Sequence, residues 1–317
     1  MPGALVHGSG HWVAGRAKTA RLLLLYEGIG LGSLGVSLVG LAATGASQYT
    51  VTPFAIGALG GLGLFGVTLL ADVYGVLAPE GGTGAPETKL SRFEIRSGLL
   101  YAYDPLFPHE YFWSHGFSVE AGPLWIAPSV ELGLDAATHR YSLFITRRVL
   151  GPRTHAAARS GTALDATAGV TDHAYHDDGF GLTALELRFD SRVDLGDIDS
   201  NLAGSFMESS LGYAREFVHY DGLEGDQTDE LLARIGFGMY LGRPVGVHGE
   251  TAFVYDHRRD TLAGGMHFAG VPAGYAGHLE QRTRLFFTAS FGAELEFNYG
   301  SAFTTGLSLL FRPGARP

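Results

Sequence analysis

The chain has 317 residues, 47 of them glycine, no cysteine and a formal charge of −10. The lack of thiols excludes disulfides, thiolate metal sites and cysteine nucleophiles. An acidic balance with no basic face or stacking motif excludes a nucleic-acid partner. Charged residues make up only 17%, below the ~25% of soluble domains, and of the 22 basic residues only Lys18 and Lys89 are lysine.

Residues 1–21 form a basic segment carrying Arg16, Lys18 and Arg21. Residues 22–77 are almost uninterrupted apolar, broken once at "TGASQYTVTP" (Thr44–Pro53). Each half is long enough to cross a hydrocarbon core, which takes about 20 helical residues. Pro53 stands where a second helix begins, a position that tolerates proline. Gly28 and Gly32 in the first arm, and Gly57 and Gly61 in the second, have the four-residue spacing that lets apolar helices approach closely. These features predict a Gly-rich helical hairpin, packed inside a barrel or against its outer wall, with Glu27 meeting an inward arginine such as Arg96 or Arg284. The rival reading is a signal peptide over residues 1–46, cleaved after Thr44-Gly45-Ala46. Residues 78–90 ("APEGGTGAPETK" and Leu90) have the proline, glycine and charge of a linker.

From residue 91 to 313 the hydrophobic period changes to two, the signature of half-buried strands. Leu185, Leu187, Phe189 and Val193 share one face, with Glu186, Arg188, Asp190 and Arg192 on the other. The alternation predicts twelve strands, at 92–103, 112–122, 124–135, 139–150, 162–170, 180–195, 201–217, 231–241, 245–257, 262–270, 278–299 and 302–312. One set of connections is mostly short ("AGP", "GDIDSN", "GRP"). The other is longer and acidic, including "DHAYHDD" and "DGLEGDQTDE", read as solvated loops without a metal.

Alternation alone leaves open which face is inside. Twelve strands close into a barrel too wide for side chains to fill, and the polar face is poor in lysine and amides for a solvated surface. Tyr101, Trp113, Tyr141, Tyr213, Tyr255, Tyr299 and Phe311 gather near strand ends on the apolar face, like the interfacial girdle of a membrane barrel. The expected fold is therefore all-β, an antiparallel transmembrane β-barrel of about 12 strands preceded by the helical hairpin. Its lumen-facing set would be Glu94, Arg96, Glu120, Glu131, Glu186, Arg188, Arg234, Glu250, Arg282, Arg284, Glu294 and Glu296.

The last strand, "TTGLSLLF" (Thr304–Phe311), resembles the terminal β-signal of bacterial outer-membrane β-barrel proteins in its spacing of Thr304, Gly306, Leu309 and Phe311. It departs from that pattern in the "RPGARP" that follows. The resemblance implies an outer membrane of a Gram-negative bacterium, a lipid bilayer and the barrel-assembly machinery as partners, and a strand that closes the barrel.

Rings of lumen charge can select solutes or pair with one another. The first expectation is a pore for small polar solutes, whose acidic balance would favour cations. The alternative is a structural or assembly barrel whose hairpin docks an envelope protein partner or plugs the lumen. A third is an envelope lipid-modifying enzyme, though no "HxSNG"-like segment occurs. No cofactor is expected, because "GIGLGSLG" lacks the βαβ context of a dinucleotide site.

Overall fold

The structure, a computed structural model, describes residues 6–47, 49–86, 91–103, 110–134, 138–151, 161–175, 179–222, 225–242, 246–258, 261–262 and 277–313. A one-turn helix α1 (Ser9–Val13) precedes α2 (Ala17–Thr44) and α3 (Val51–Leu77). Among the described residues twelve strands follow: β1 (Phe93–Tyr103), β2 (Glu110–Ala121), β3 (Leu124–Gly133), β4 (His139–Leu150), β5 (Ala163–Tyr175) and β6 (Phe180–Asp194). The second half comprises β7 (Ser205–Tyr220), β8 (Asp226–Gly242), β9 (His248–Asp256), β10 (His278–Phe286), β11 (Phe291–Tyr299) and β12 (Phe303–Phe311).

Each strand pairs antiparallel with its sequence neighbours, and β12 returns to β1, with Ile95 opposite Phe311 and Tyr103 opposite Phe303. The sheet is a closed twelve-strand barrel with no free edge. Thr304, Gly306, Leu309 and Phe311 all lie in the closing strand, between β1 and β11.

The expected segment 278–299 is two strands joined at Phe287–Ser290. Leu285 pairs with Ala293, residues of the same parity, so the alternation passes through the turn unbroken and hides it. Of the strand expected at 262–270, Leu262 lies in a turn and the remainder falls outside the described residues. The strand expected from residue 201 starts at Ser205. Before it the Asp194 and Asp199 side chains accept hydrogen bonds from the backbone of Gly196 and Asn201, capping two 3-10 turns. The acidic segment Asp221–Glu230 is only partly loop, because β8 already begins at Asp226.

α2 starts at Ala17 and takes Lys18 and Arg21 into its first turns. It ends where Gly45 turns left-handed (φ 61°), a helix stop that glycine makes without strain. The two long helices meet along small residues. A Cβ on Gly61 would sit 2.5 Å from the Gly30 carbonyl oxygen, and the Ser33 hydroxyl donates to the Gly57 carbonyl at 2.8 Å. Gly28 and Gly32 do not make this contact, having open space where a Cβ would stand. The stripe on α2 is Gly30, Ser33 and Ser37, three and four residues apart, which share one helical face.

The hairpin lies outside the barrel. Val67, Ala71 and Tyr74 of α3 pack on Phe237, flanked by Met207, Ile235 and Met239 on the outer face of β7 and β8. It is therefore no plug of the lumen, and Glu27 meets neither Arg96 nor Arg284. Glu27 instead accepts from the His7 backbone at 3.1 Å, and the His7 ring reaches Thr68 of α3 at 2.8 Å. His11, fully buried, faces Asp72 at 3.9 Å.

The hairpin is fastened where the strands have their short turns. The Tyr74 hydroxyl donates to the Ala203 carbonyl at 2.8 Å, and Asn201 donates to Thr19 at 2.9 Å. Gly204 makes room for the Tyr74 hydroxyl, with a left-handed φ of 87°. Beyond α3 the linker runs beside the end of β8, where Thr83 accepts from the Gly242 amide at 3.0 Å and Gly84 bridges Gly242.

Candidate functional site in the barrel lumen

Period-two strands put opposite chemistries on the two sides of the wall. Outward stand Leu185, Leu187, Phe189, Trp113 and Tyr299, all large and exposed. Inward stand the charges. Glu94 takes ion pairs from Arg284 and from Arg312 beyond β12, the latter at 2.6 Å. Arg96 donates to Glu294 at 3.0 Å, and Arg284 also reaches Glu294 at 2.9 Å. β1, β10, β11 and the end of β12 are thus tied across the inside of the barrel seam.

A second network spans β6 to β10. Arg192 donates to Glu250 at 2.7 Å and to Glu208 at 3.3 Å. Arg234 donates to both oxygens of Glu280 at 2.8 Å and lies 3.1 Å from Glu208. Arg282 stands 3.8 Å from both Glu208 and Glu280. On β6, Arg188 pairs with Glu186 at 2.5 Å and Asp190 at 3.0 Å, and Arg258 reaches back over the lumen to Glu186. Arg140 lies 3.7 Å from Glu131 and Arg148 2.5 Å from Asp165.

The lumen opens into two chambers. One, of about 330 Å³, is lined toward the long-loop end by Arg96, Glu131, Asp256, His278, Glu280 and Glu296 among others. The other, of about 420 Å³, lies toward the short turns and is lined, among the described residues, by seven arginines, Arg148, Arg188, Arg192, Arg234, Arg282, Arg284 and Arg312. Its carboxylates among the described residues are four: Asp165, Asp190, Glu208 and Glu250. Both chambers share Arg188, Asp190, Ser210, Arg234 and Arg282. Ala85 and Pro86 of the linker, with Tyr240 and Phe286, border the second chamber. Aromatic faces back the cations there. Arg192 lies over Phe206 at 4.1 Å and Arg312 over Phe286 at 3.6 Å, distances at which a ring attracts a cation.

Of the sequence-derived set, Arg96, Glu131, Arg188, Arg234, Glu250, Arg282, Arg284, Glu294 and Glu296 line one or both chambers. Glu94 and Glu186 stand behind arginines that do. Glu120 stands apart, 3.7 Å from an exposed Arg92 near the short-turn rim. The set lacks Arg140, Arg148, Asp165, Asp190, Arg192, Glu208, Asp256, Arg258, Glu280 and Arg312. The parity of β6 and β10 marks Arg192 and Glu280 as neighbours of residues that were included. Arg312 lies past the last strand, where alternation has no reach.

Asp256, His278 and Glu280 bring three possible ligand atoms within 4.8 Å of one another. The His278 Nδ1 is 3.1 Å from the Arg258 carbonyl, and Arg234 occupies both oxygens of Glu280. The carboxylates are thus already engaged by an arginine. His173 of the "DHAYHDD" segment is buried within β5, and His176 lies outside the described residues.

No family model matches the chain, and no curated protein matches it. Solved structures of similar shape include the translocator domain of the autotransporter NalP from Neisseria meningitidis, at 10% identity and a TM-score of 0.40, covering 71% of this chain and 89% of that one. The outer membrane protein Omp33 of Acinetobacter baumannii is similar over 70% of this chain and 98% of its own, at 14% identity and a TM-score of 0.35. The NanC porin matches at 10% identity and 0.39, over 69% and 98%. The likeness to these bacterial barrels is one of fold.

Proposed function

We propose that the protein is a bacterial outer-membrane barrel whose lumen conducts small polar solutes. The observation that carries this reading is the division of the wall. Exposed apolar and aromatic side chains cover the outside, while two charged chambers that share five wall residues run through the inside. A soluble barrel would reverse that order, because burying charge costs several kcal/mol per ion whereas water in a lumen hydrates it. Chambers of about 330 and 420 Å³ lie at the lower end of the range that holds small-molecule ligands, so the solutes are small.

The hairpin fits the same placement. Its two helices are each long enough to cross a bilayer and lie beside the outward face of β8. Helices whose backbone bonds close within themselves are the other element a membrane accepts. Purified full-length protein in a planar bilayer is expected to produce discrete conductance steps. A bilayer that stays silent after confirmed insertion of the folded barrel would contradict the pore.

A second reading uses the hairpin as a docking arm. α2 packs mainly on α3 and exposes Leu25, Ile29, Val36 and Val39 on its outer side, a surface open to lipid or to a membrane partner.

A further inference from the structure

We infer that the lumen offers guanidinium groups to a passing solute and so selects small carboxylate- or phosphate-bearing anions, with Arg282 as the principal anchor. The inference rests on the pore reading and names its solute class. It runs against the cation preference expected from the acidic composition.

The ion pairs are layered by depth. The Arg96 side chain is 33% exposed and its partner Glu294 7%; for Arg192 and Glu208 the values are 28% and 9%. Arg234 with Glu280 and Arg284 with Glu294 follow the same order. The cause is reach. Both partners leave the same wall, and arginine is the longer side chain, so its head extends over the carboxylate toward the lumen. Asp165, Asp190, Glu131 and Glu94 reverse the order against Arg148, Arg188, Arg140 and Arg312, so the layering holds for Arg96, Arg192, Arg234 and Arg284 and not for every pair.

Pairing cancels charge at a distance and leaves contact chemistry unequal. A carboxylate beneath a guanidinium spends its lone pairs on that partner. The guanidinium has five N–H donors in a planar fork and keeps some for the open side. That fork matches the paired oxygens of a carboxylate or phosphate, and arginine is weakly hydrated, so little is lost on contact. Arg282 is the least engaged of the group, 3.8 Å from each of its carboxylates, and it lines both chambers. With Arg188 and Arg234 it stands where the two chambers meet. The chain's net negative charge does not oppose this, because carboxylates such as Asp226 and Asp229 are exposed at the long-loop end of the barrel.

The test uses full-length protein in a planar bilayer under a potassium chloride gradient, with citrate as the probe. The expected reversal potential has the sign set by chloride, and citrate added to one side reduces the current. Arg282→Gln shifts the reversal potential toward potassium and weakens the citrate block, whereas Arg282→Lys retains the chloride preference. A wild-type reversal potential set by potassium, or current indifferent to citrate, overturns the inference and leaves the pore intact. Should the glutamine variant fail to fold, the sign for the wild-type protein still decides. If the bilayer is silent the pore reading fails, and calorimetric titration of citrate into detergent-solubilised protein decides the anion site. Saturable binding supports it and no binding overturns it.

Discussion

Arg192 and Glu250 leave strands three apart in the barrel, yet their heads meet at 2.7 Å. Such contacts depend on side-chain length and barrel curvature. The sequence exposes only the faces: Glu186, Arg188, Asp190 and Arg192 recur at every second position, and that is legible because the strand period is two. Which arginine meets which carboxylate, and which of the two stands nearer the lumen axis, follows from closure and is invisible in a linear pattern. The composition says little about the lumen for the same reason, since it sums rim and lumen charges together.

His11 is the residue-scale feature with a pH consequence. Burial holds its imidazole below the usual histidine range, with Arg16 acting the same way and Asp72 and Asp199 opposing. The unfolded side chain titrates near 6.5. Its contribution is therefore intact above that pH and is lost as the pH falls toward the lower folded value, where the unfolded chain binds the proton more readily. Hydrogen-exchange protection over α1 and the start of α2, corrected for the intrinsic pH dependence of amide exchange, is expected to be higher at neutral pH than at pH about 5. His11→Gln is expected to reduce this dependence. Equal protection at both values in the wild-type protein would count against the account.

At the scale of elements, the hairpin itself was readable from its apolar runs, the break at Thr44–Pro53 and the placement of Pro53. Its contact face was not, because nearly every position of α2 is apolar or small and several glycine spacings compete. The structure selects Gly30, Ser33 and Ser37 against Gly57 and Gly61. A leucine at Gly61 forces the helices apart, at a cost of about 1–3 kcal/mol for overpacking, whereas a leucine at Gly28 enters open space. The absence of native cysteine makes this measurable. A Ser37→Cys, Gly57→Cys pair is expected to cross-link on mild oxidation, to persist with Gly28→Leu and to fail with Gly61→Leu. Cross-linking that tolerates both leucines would show that the helices do not meet at this face.

The hairpin turn within residues 278–299 was hidden by parity. Strand existence was legible there and strand number was not, since Leu285, Phe287 and Phe291 keep one rhythm through the turn. The position of the hairpin relative to the barrel was equally hidden. An outward apolar stripe on β8 attracts a helix or a lipid chain alike. The hydrogen bonds that decide between them, from Tyr74 to Ala203 and from Asn201 to Thr19, join residues far apart in sequence.

For the whole molecule, closure through β12 removes both sheet edges and forces one face of every strand inward. The central claim is that the charged face looks onto a continuous aqueous path and the apolar face onto lipid. Ser210 and Leu211 are adjacent on β7. Ser210 lines both chambers, and Leu211 is exposed on the outside. The most direct measurement is bilayer conductance of Ser210→Cys and Leu211→Cys proteins before and after a charged, water-soluble thiol reagent. The reagent is expected to reduce current through Ser210→Cys and to leave Leu211→Cys unchanged. A reagent that modifies and blocks the Leu211→Cys protein while sparing Ser210→Cys would contradict it.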